Sequence, residues 1–298
     1  MNPPVLLLIF NRPDLTEAVM ERIRQAEPEQ LFIGADGPRP GHNEDKRRCV
    51  SAREVATAVD WDCDVRTLFR DQNLGCKEAV ESAITWFFQQ VDSGIILEDD
   101  CRPDPSFFPY CAELLARHAE DDRIFTISGN NFQDGKQRTE SSYYFSRYMH
   151  CWGWATWARA WEHYRPQLKH WEQVKTQNWL NQIFESRRSA RYWTKIFNRV
   201  EADEVDSWAY IWQYHIWLQS GLNILPEQNL VENIGFGGEA THTTSSKTGC
   251  LAESIEMPLN HPPFIIRHRK ADRYTQKNNF ESTFLERLTQ KIRRIATE

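Results

Sequence analysis

Six consecutive apolar residues, Val5-Leu6-Leu7-Leu8-Ile9-Phe10, stand between Pro4 and Asn11-Arg12-Pro13 near the start of the chain. A run of that length without a polar break, closed by proline on each side, predicts a strand buried on both faces. Such strands belong to parallel sheets covered by helices on both sides. The pattern then repeats. A helix is expected from Asp14, with Asp14 as its cap, Glu17 in capping-box spacing, and Leu15, Val19 and Ile23 on one side. Leu31 to Ala35 predicts a second strand ending in the turn Asp36-Gly37-Pro38. Asp45 to Val59 reads as helix, Val65 to Phe69 as strand, Lys77 to Gln90 as helix, and Gly94 to Leu97 as another buried strand. Strand and helix in alternation predict βαβ units with right-handed crossovers. The expected fold is therefore α/β, with a Rossmann-like, mostly parallel central sheet, flanking helices, and a ligand crevice at the carboxyl ends of the strands.

The 298 residues are 40% hydrophobic and 26% charged, enough to bury a full core and unlike a disordered chain. No run of 18 apolar residues occurs, so no spanning helix is expected, and Met1-Asn2-Pro3-Pro4 does not read as a secretory signal. The seven cysteines form no CxxC pair, which argues against zinc ribbons and for reduced thiols, hence a cytoplasmic location. Charge is uneven: from Arg267 onward nine Lys/Arg face four Asp/Glu, while the whole chain is at −6. The body is thus acidic, a poor general binder of nucleic acid, and none is expected as a partner. Residues 271–298 form a basic tail with Phe284, Leu285, Leu288, Ile292 and Ile295 at helical spacing. It reads as an amphipathic helix, either packed on the body or in peripheral contact with the inner face of a membrane.

The polar clusters of the first half fall where ligands are expected. Asn11-Arg12 follows the first strand, Asp36-Gly37 the second, Asn73-Leu74-Gly75 the third and Glu98-Asp99-Asp100 the fourth. No GxGxxG follows the first strand and no GxxxxGK[ST] occurs, so dinucleotide oxidoreductases and P-loop NTPases lose their main support. Three consecutive carboxylates at the end of a buried strand repel one another unless a cation or hydrogen-bond donors compensate. A hard divalent ion, Mn²⁺ or Mg²⁺, which takes both carboxylate and phosphate oxygens, suits that place, whereas a solvated acidic loop is the plainer alternative. From about Ile124 the sequence changes to short apolar runs, aromatics and Gly-rich loops, with a helix expected over Trp179 to Val200. Seven of the twelve Trp lie between Trp152 and Trp193, in excess of what a core needs and apt for a binding surface, whereas a Trp-rich core is the plainer reading for most of them taken singly.

The strand ending in Glu98-Asp99-Asp100, followed by Cys101-Arg102-Pro103-Asp104-Pro105-Ser106-Phe107-Phe108, resembles the DxD-type element of GT-A glycosyltransferases. It is most similar to the inverting N-acetylglucosaminyltransferase that initiates complex N-glycan branches, and also to anchorless bacterial nucleotide-diphosphosugar transferases. The resemblance runs from Pro4 to about His242 and is patchy between motifs. It implies a single GT-A domain over residues 1–270, with a nucleotide-sugar-binding half (1–110) and an acceptor-facing half (111–270). By this resemblance Arg12 holds the nucleotide diphosphate and Asp36 accepts from a uracil ring. Lys77 stands where the family has a histidine near the nucleotide. Glu98 and Asp99 bind sugar or ribose hydroxyls, and Asp100 ligates the metal. Cys151-Trp152-Gly153-Trp154 resembles the segment lining donor sugar and acceptor, with Trp154 a stacking platform and a core position as its alternative. Val205-Asp206-Ser207-Trp208 resembles the Asp-Asp-Trp that carries the catalytic base, which places Asp206 as base and Trp208 beside the acceptor. His242, ending the loop that begins at Glu232, matches a residue that reaches metal or diphosphate.

The implied activity is metal-dependent, inverting transfer of a sugar, N-acetylglucosamine being a candidate, from a UDP-linked or other nucleotide-diphosphosugar donor. The implied acceptor is a hydroxyl of a glycan or glycolipid, in polysaccharide biosynthesis. A sugar-phosphate nucleotidyltransferase is the rival enzyme, though it normally needs a Gly-rich loop with Arg and Lys near the first strand. A non-catalytic carbohydrate- or membrane-surface-binding protein is the rival of another class, and it leaves Glu98-Asp99-Asp100 and Asp206 without a task.

Overall fold

The opening apolar run is the strand β1 (Val5–Ile9), every residue of which is buried. In the structure, a computed structural model, residues 2–235 and 251–281 are described. After β1 come α1 (Pro13–Ala26), β2 (Gln30–Ala35), α2 (Asn43–Thr57), β3 (Asp64–Phe69), α3 (Cys76–Phe88) and β4 (Ser93–Glu98), the expected alternation. The chain continues through β5 (Cys101–Pro103), α4 (Phe107–Arg117), β6 (Ile124–Ser128), β7 (Tyr143–Ser146), β8 (Trp154–Trp157), α5 (Ala158–Trp161), α6 (Trp171–Thr176) and α7 (Leu180–Ile183). Then follow α8 (Arg187–Glu201), α9 (Trp208–Leu218), β9 (Leu222–Pro226), β10 (Val231–Asn233) and α10 (Arg269–Thr275).

Eight strands form one sheet in the order β3-β2-β1-β4-β8-β6-β9-β7. The pairs β3/β2, β2/β1, β1/β4 and β6/β9 are parallel, and only β8 and β7 run against the rest. The expectation of an α/β fold with a mostly parallel central sheet and flanking helices is met. Because side chains alternate across a strand, β1 feeds two cores: Val5, Leu7 and Ile9 pack with α1, α2 and α4, whereas Leu6 and Leu8 pack with α3 and the aromatic helices α5 to α9. Register aligns the strand ends. Leu8 stands opposite both Gly34 and Glu98, and Ala35 opposite Phe69, so β1, β2, β3 and β4 end at nearly one level. A short antiparallel ribbon, β5 with β10, rises from that edge just after Asp100.

Two local expectations are corrected. Asp14 does not cap α1: Pro13 takes the first helical position, Arg12 precedes it, and no side chain caps the end. Proline's fixed φ starts the helix one residue early and draws Asp14 into the first turn. The helix expected over Trp179 to Val200 is two helices, α7 and α8, because Phe184 turns extended into the core and Ser186 restarts the chain by accepting from Arg188 N at 3.2 Å. The basic tail from residue 282 lies outside the described residues. Among the described residues no helix is long and apolar enough to cross a membrane, and Cys49, Cys63, Cys76, Cys101, Cys111 and Cys151 are free thiols.

Candidate active site

Arg12 reaches from the end of β1 across to the end of β4. Its Nη2 pairs with Asp99 Oδ1, its Nε donates to Asp99 Oδ2 at 3.3 Å, and its Nη1 donates to Asp100 Oδ2 at 2.9 Å. Asp99 is itself tied to β1: its backbone N–H donates to Leu8 O at 2.9 Å, and its side chain accepts from Phe10 N at 3.3 Å. Burial works against the Arg12 charge, but the two carboxylates more than offset that, and the guanidinium is held above its ordinary range. For Asp99 the balance falls the other way. Burial pushes its carboxyl up to about 6 despite Arg12.

Glu98, the last residue of β4, is half-buried and its side chain has no hydrogen bond or ion pair among the described residues. Burial first, then the neighbouring charges of Asp100 and Asp99, push it up to about 8. Arg12 acts in the opposite sense without reversing the shift. Asp206 has no partner among the described residues either; it is exposed, just ahead of α9, and its Oδ2 faces Gly75 from 3.6 Å off the place a Cβ would occupy there. Gly75 has a φ of 81°, a left-handed conformation that starts α3. The Cys76 thiol, at the start of α3, is pushed up to about 12 by burial and then by the charges of Glu98, Asp206, Asp36 and Asp100. One thiol thus senses four carboxylates, drawn from segments distant in sequence.

Asp36 serves the shape of the loops. Its Oδ1 accepts from Gly37 N at 2.8 Å and Leu74 N at 3.0 Å, and its Oδ2 from Asn73 Nδ2 at 2.8 Å, so it ties the end of β2 to the β3–α3 loop. Burial raises its pKa, with those backbone donors pulling the other way. Lys77, in the first turn of α3, lies 4.0 Å from Asp203, three residues before Asp206. The chain leaving β10 closes over the triplet: Ile234 N donates to Asp100 O at 2.8 Å, and a Cβ on Gly235 would fall 2.4 Å from Asp100 Oδ2 and 3.0 Å from Arg12 Nη1. A side chain there would have to displace Asp100 or Arg12. The loop from residue 236, including His242, lies outside the described residues.

The structure corrects the placing of the aromatic rings. Trp154 is 1% exposed in β8, a strand between β4 and β6, and Trp208 is 4% exposed in α9. The two stack on each other with centroids 5.6 Å apart and planes at 21°, so each covers a face of the other and neither forms a platform for a sugar. Trp152, half-buried and edge-on to Phe132 at 4.8 Å, is the ring of that segment at the molecular surface.

Several partners of the site carry no recognisable motif. Asp45, buried at the start of α2, accepts from Asn11 Nδ2 at 2.7 Å and from Arg39 Nε at 2.6 Å, and the Arg39 bond holds its carboxyl well below the usual range. Arg48 Nε donates to Asn11 O at 2.7 Å. Together they fix the loop that presents Arg12. Among the described residues no three His, Cys, Asp or Glu side chains are grouped as a metal-ion cage. The hard oxygens of Asp100 and Glu98 suit Mg²⁺ or Mn²⁺, ions commonly held by one or two carboxylates together with substrate phosphates and water.

No family model matches the sequence, and no curated protein matches it. Solved structures with a partly similar chain path include the mannosyltransferase PcManGT from Pyrobaculum calidifontis in complex with GDP-Man and Mn2+. It is 10% identical, over 73% of this chain and 70% of that one, at a TM-score of 0.40. Mannose-1-phosphate geranyltransferase from Thermus thermophilus is 11% identical over 76% and 74%, at 0.34. HddC from Yersinia pseudotuberculosis is 8% identical over 54% and 80%, at 0.33. Likeness at this level carries nothing about activity.

Proposed function

We propose that this protein is a metal-dependent, inverting glycosyltransferase of the GT-A kind. It would move a sugar, N-acetylglucosamine being one candidate, from a nucleotide-diphosphosugar, UDP-linked for preference, to a hydroxyl of a glycan or glycolipid. The observation that carries this reading is a guanidinium, Arg12, bound to Asp99 and Asp100 after β4, together with two carboxylates whose side chains have no partner among the described residues, Glu98 and Asp206, both near enough to Cys76 to raise its pKa. Arg12 would turn part of its charge to the diphosphate. Asp100 and Glu98 would hold the divalent ion, which supplies further positive charge to the leaving diphosphate. Asp206, exposed and unpaired, would take the proton of the acceptor hydroxyl as that oxygen attacks the anomeric carbon from the face opposite the leaving group. Asp99, locked to Arg12 and β1, would set the position of that cation, and Asp36 with Asn73 and Leu74 would shape the wall on the nucleoside side. The test is a thermal-shift panel of nucleotide diphosphosugars with and without Mn²⁺. A bound donor at 100 times its Kd adds about 2.7 kcal/mol. Stabilisation by one nucleotide class, dependent on Mn²⁺, is expected, and no response to any donor would overturn the assignment.

A further inference from the structure

Helix α8 carries Arg187, Arg191, Lys195 and Arg199 at every fourth position, all exposed, while Ala190, Trp193, Phe197 and Val200 are buried on its other side. Residues four apart share one face of a helix, so the cations form a stripe, and the only acid of α8 is its last residue, Glu201. The segment 264–280 lies against the start of this helix. Glu185, just before α8, accepts from Arg267 and, at 3.0 Å, from Arg269; Arg188 pairs with Glu281 at 3.1 Å; and Phe280 packs on Trp193 with centroids 4.8 Å apart.

That segment has the same character. Arg269, Lys270, Arg273 and Lys277 are exposed, and its one acid, Asp272, is buried against Ser146 and Arg147. Arg187, Arg191, Lys195, Lys270, Arg273 and Lys277 have no carboxylate partner among the described residues. Just ahead of them Phe264 and Ile266 are 69% and 70% exposed, while Ile265 between them packs on the core. The chain then meets the edge strand β7 at a single bridge between Phe145 and Arg267, directly after Ile266. On a chain of net charge −6 this face is strongly basic. Cations alone would also suit nucleic acid, but large exposed apolar side chains set among them add nothing to phosphate neutralisation. They do suit burial at the level of lipid headgroups.

We propose that α8 and the segment 264–277 form a docking surface for an anionic phospholipid bilayer, with the cations on the headgroups and Phe264 and Ile266 inserted between them. Because α8 runs directly into the segment carrying Asp206, docking sets the candidate site beside the bilayer, within reach of a lipid-linked substrate. The surface is independent of the catalytic assignment. Cosedimentation of the full chain with vesicles of phosphatidylcholine alone, and with vesicles rich in phosphatidylglycerol, tests it. Binding to the anionic vesicles only, released by salt, is expected. Each Lys or Arg near such a surface contributes about fivefold, so R191Q/K195Q should weaken partitioning by about 25-fold and R191E/K195E by more. F264S/I266S should weaken binding and leave its salt dependence unchanged. Absence of binding to anionic vesicles, equal binding by all these variants, or displacement of the vesicles by a single-stranded oligonucleotide that binds more tightly would overturn the proposal.

Discussion

Arg12 is, among the described residues, the cation paired with the carboxylates after β4, and its removal separates stability from binding. Arg12→Ala leaves Asp99 buried with only the Phe10 N–H as a side-chain donor. Breaking a buried pair from one side costs about 3 kcal/mol or more. Without Arg12, which lowers it, the Asp99 carboxyl rises above the value of about 6 it has in the wild type and escapes that cost by taking a proton, so the loss should shrink as pH falls toward 6 and stay small below it. Urea denaturation at pH 8 and pH 5 measures both. A loss equal at the two pH values would mean that Arg12 stabilises through packing. Asp206→Asn probes the chemistry instead. The amide keeps size and hydrogen bonding but takes no proton, so transfer should fall by about 10²- to 10⁴-fold while donor affinity holds. Near-normal turnover would remove Asp206 as base, and loss of soluble protein would make it structural.

At the scale of elements, the β3–α3 loop is the most constrained part of the edge. Gly37 passes so close to it that a Cβ would fall 2.4 Å from the carbonyl carbon of Gln72 and 2.5 Å from its nitrogen, both backbone atoms. Gln72 leads directly into Asn73 and Leu74, the donors to Asp36. Gly37→Ala must therefore displace the loop, with an expected cost of about 1–3 kcal/mol and, under the donor reading, a weaker nucleotide complex. Calorimetric titration with the nucleotide diphosphate decides it. Unchanged affinity in a destabilised protein would show that the loop does not shape the donor site. The ribbon β5–β10 has the complementary task, since it carries the chain over Asp100 through Gly235.

For the whole molecule, acid sensitivity has an identifiable source away from the site. His118, closing α4, is buried with Nε2 3.4 Å from Tyr143 Oη, and that hydroxyl lies 3.1 Å from His261 Nδ1. Burial, with the nearby Arg117 acting in the same direction, lowers His118 from 6.5 to about 4. Between those values the unfolded chain takes up a proton that the folded one refuses. His118 thus contributes stability that is fully present above pH 6.5 and lost as pH falls toward 4, with a slope of at most about 1.4 kcal/mol per pH unit. Glu98 and Asp99, raised in the folded state, act in the opposite sense, so the informative quantity is the difference between wild type and His118→Gln. That difference should change between pH 6.5 and 4 and be flat above. A difference constant with pH would place the proton elsewhere.

The sequence by itself determined the α/β alternation, the parallel character of β1 to β4 and the presence of polar clusters at their ends. A strand buried on both faces must be apolar throughout, and the residue after it is where the chain meets solvent. It also determined that Glu98, Asp99 and Asp100 stand together, since three acids in a row need no fold to be neighbours. Only the tertiary structure decided which of the three has a partner. Arg12 lies 87 residues from Asp99, and whether its fork reaches that carboxylate rather than Glu98 depends on the register that sets Leu8 opposite Glu98. The fate of the tryptophans was likewise undetermined. Trp154 became core because β8 inserts antiparallel between β4 and β6, a pairing made by segments far apart in the chain, which no local pattern encodes. Hydrophobic periodicity reports what a segment must bury; which segment it is buried against is settled by long-range packing.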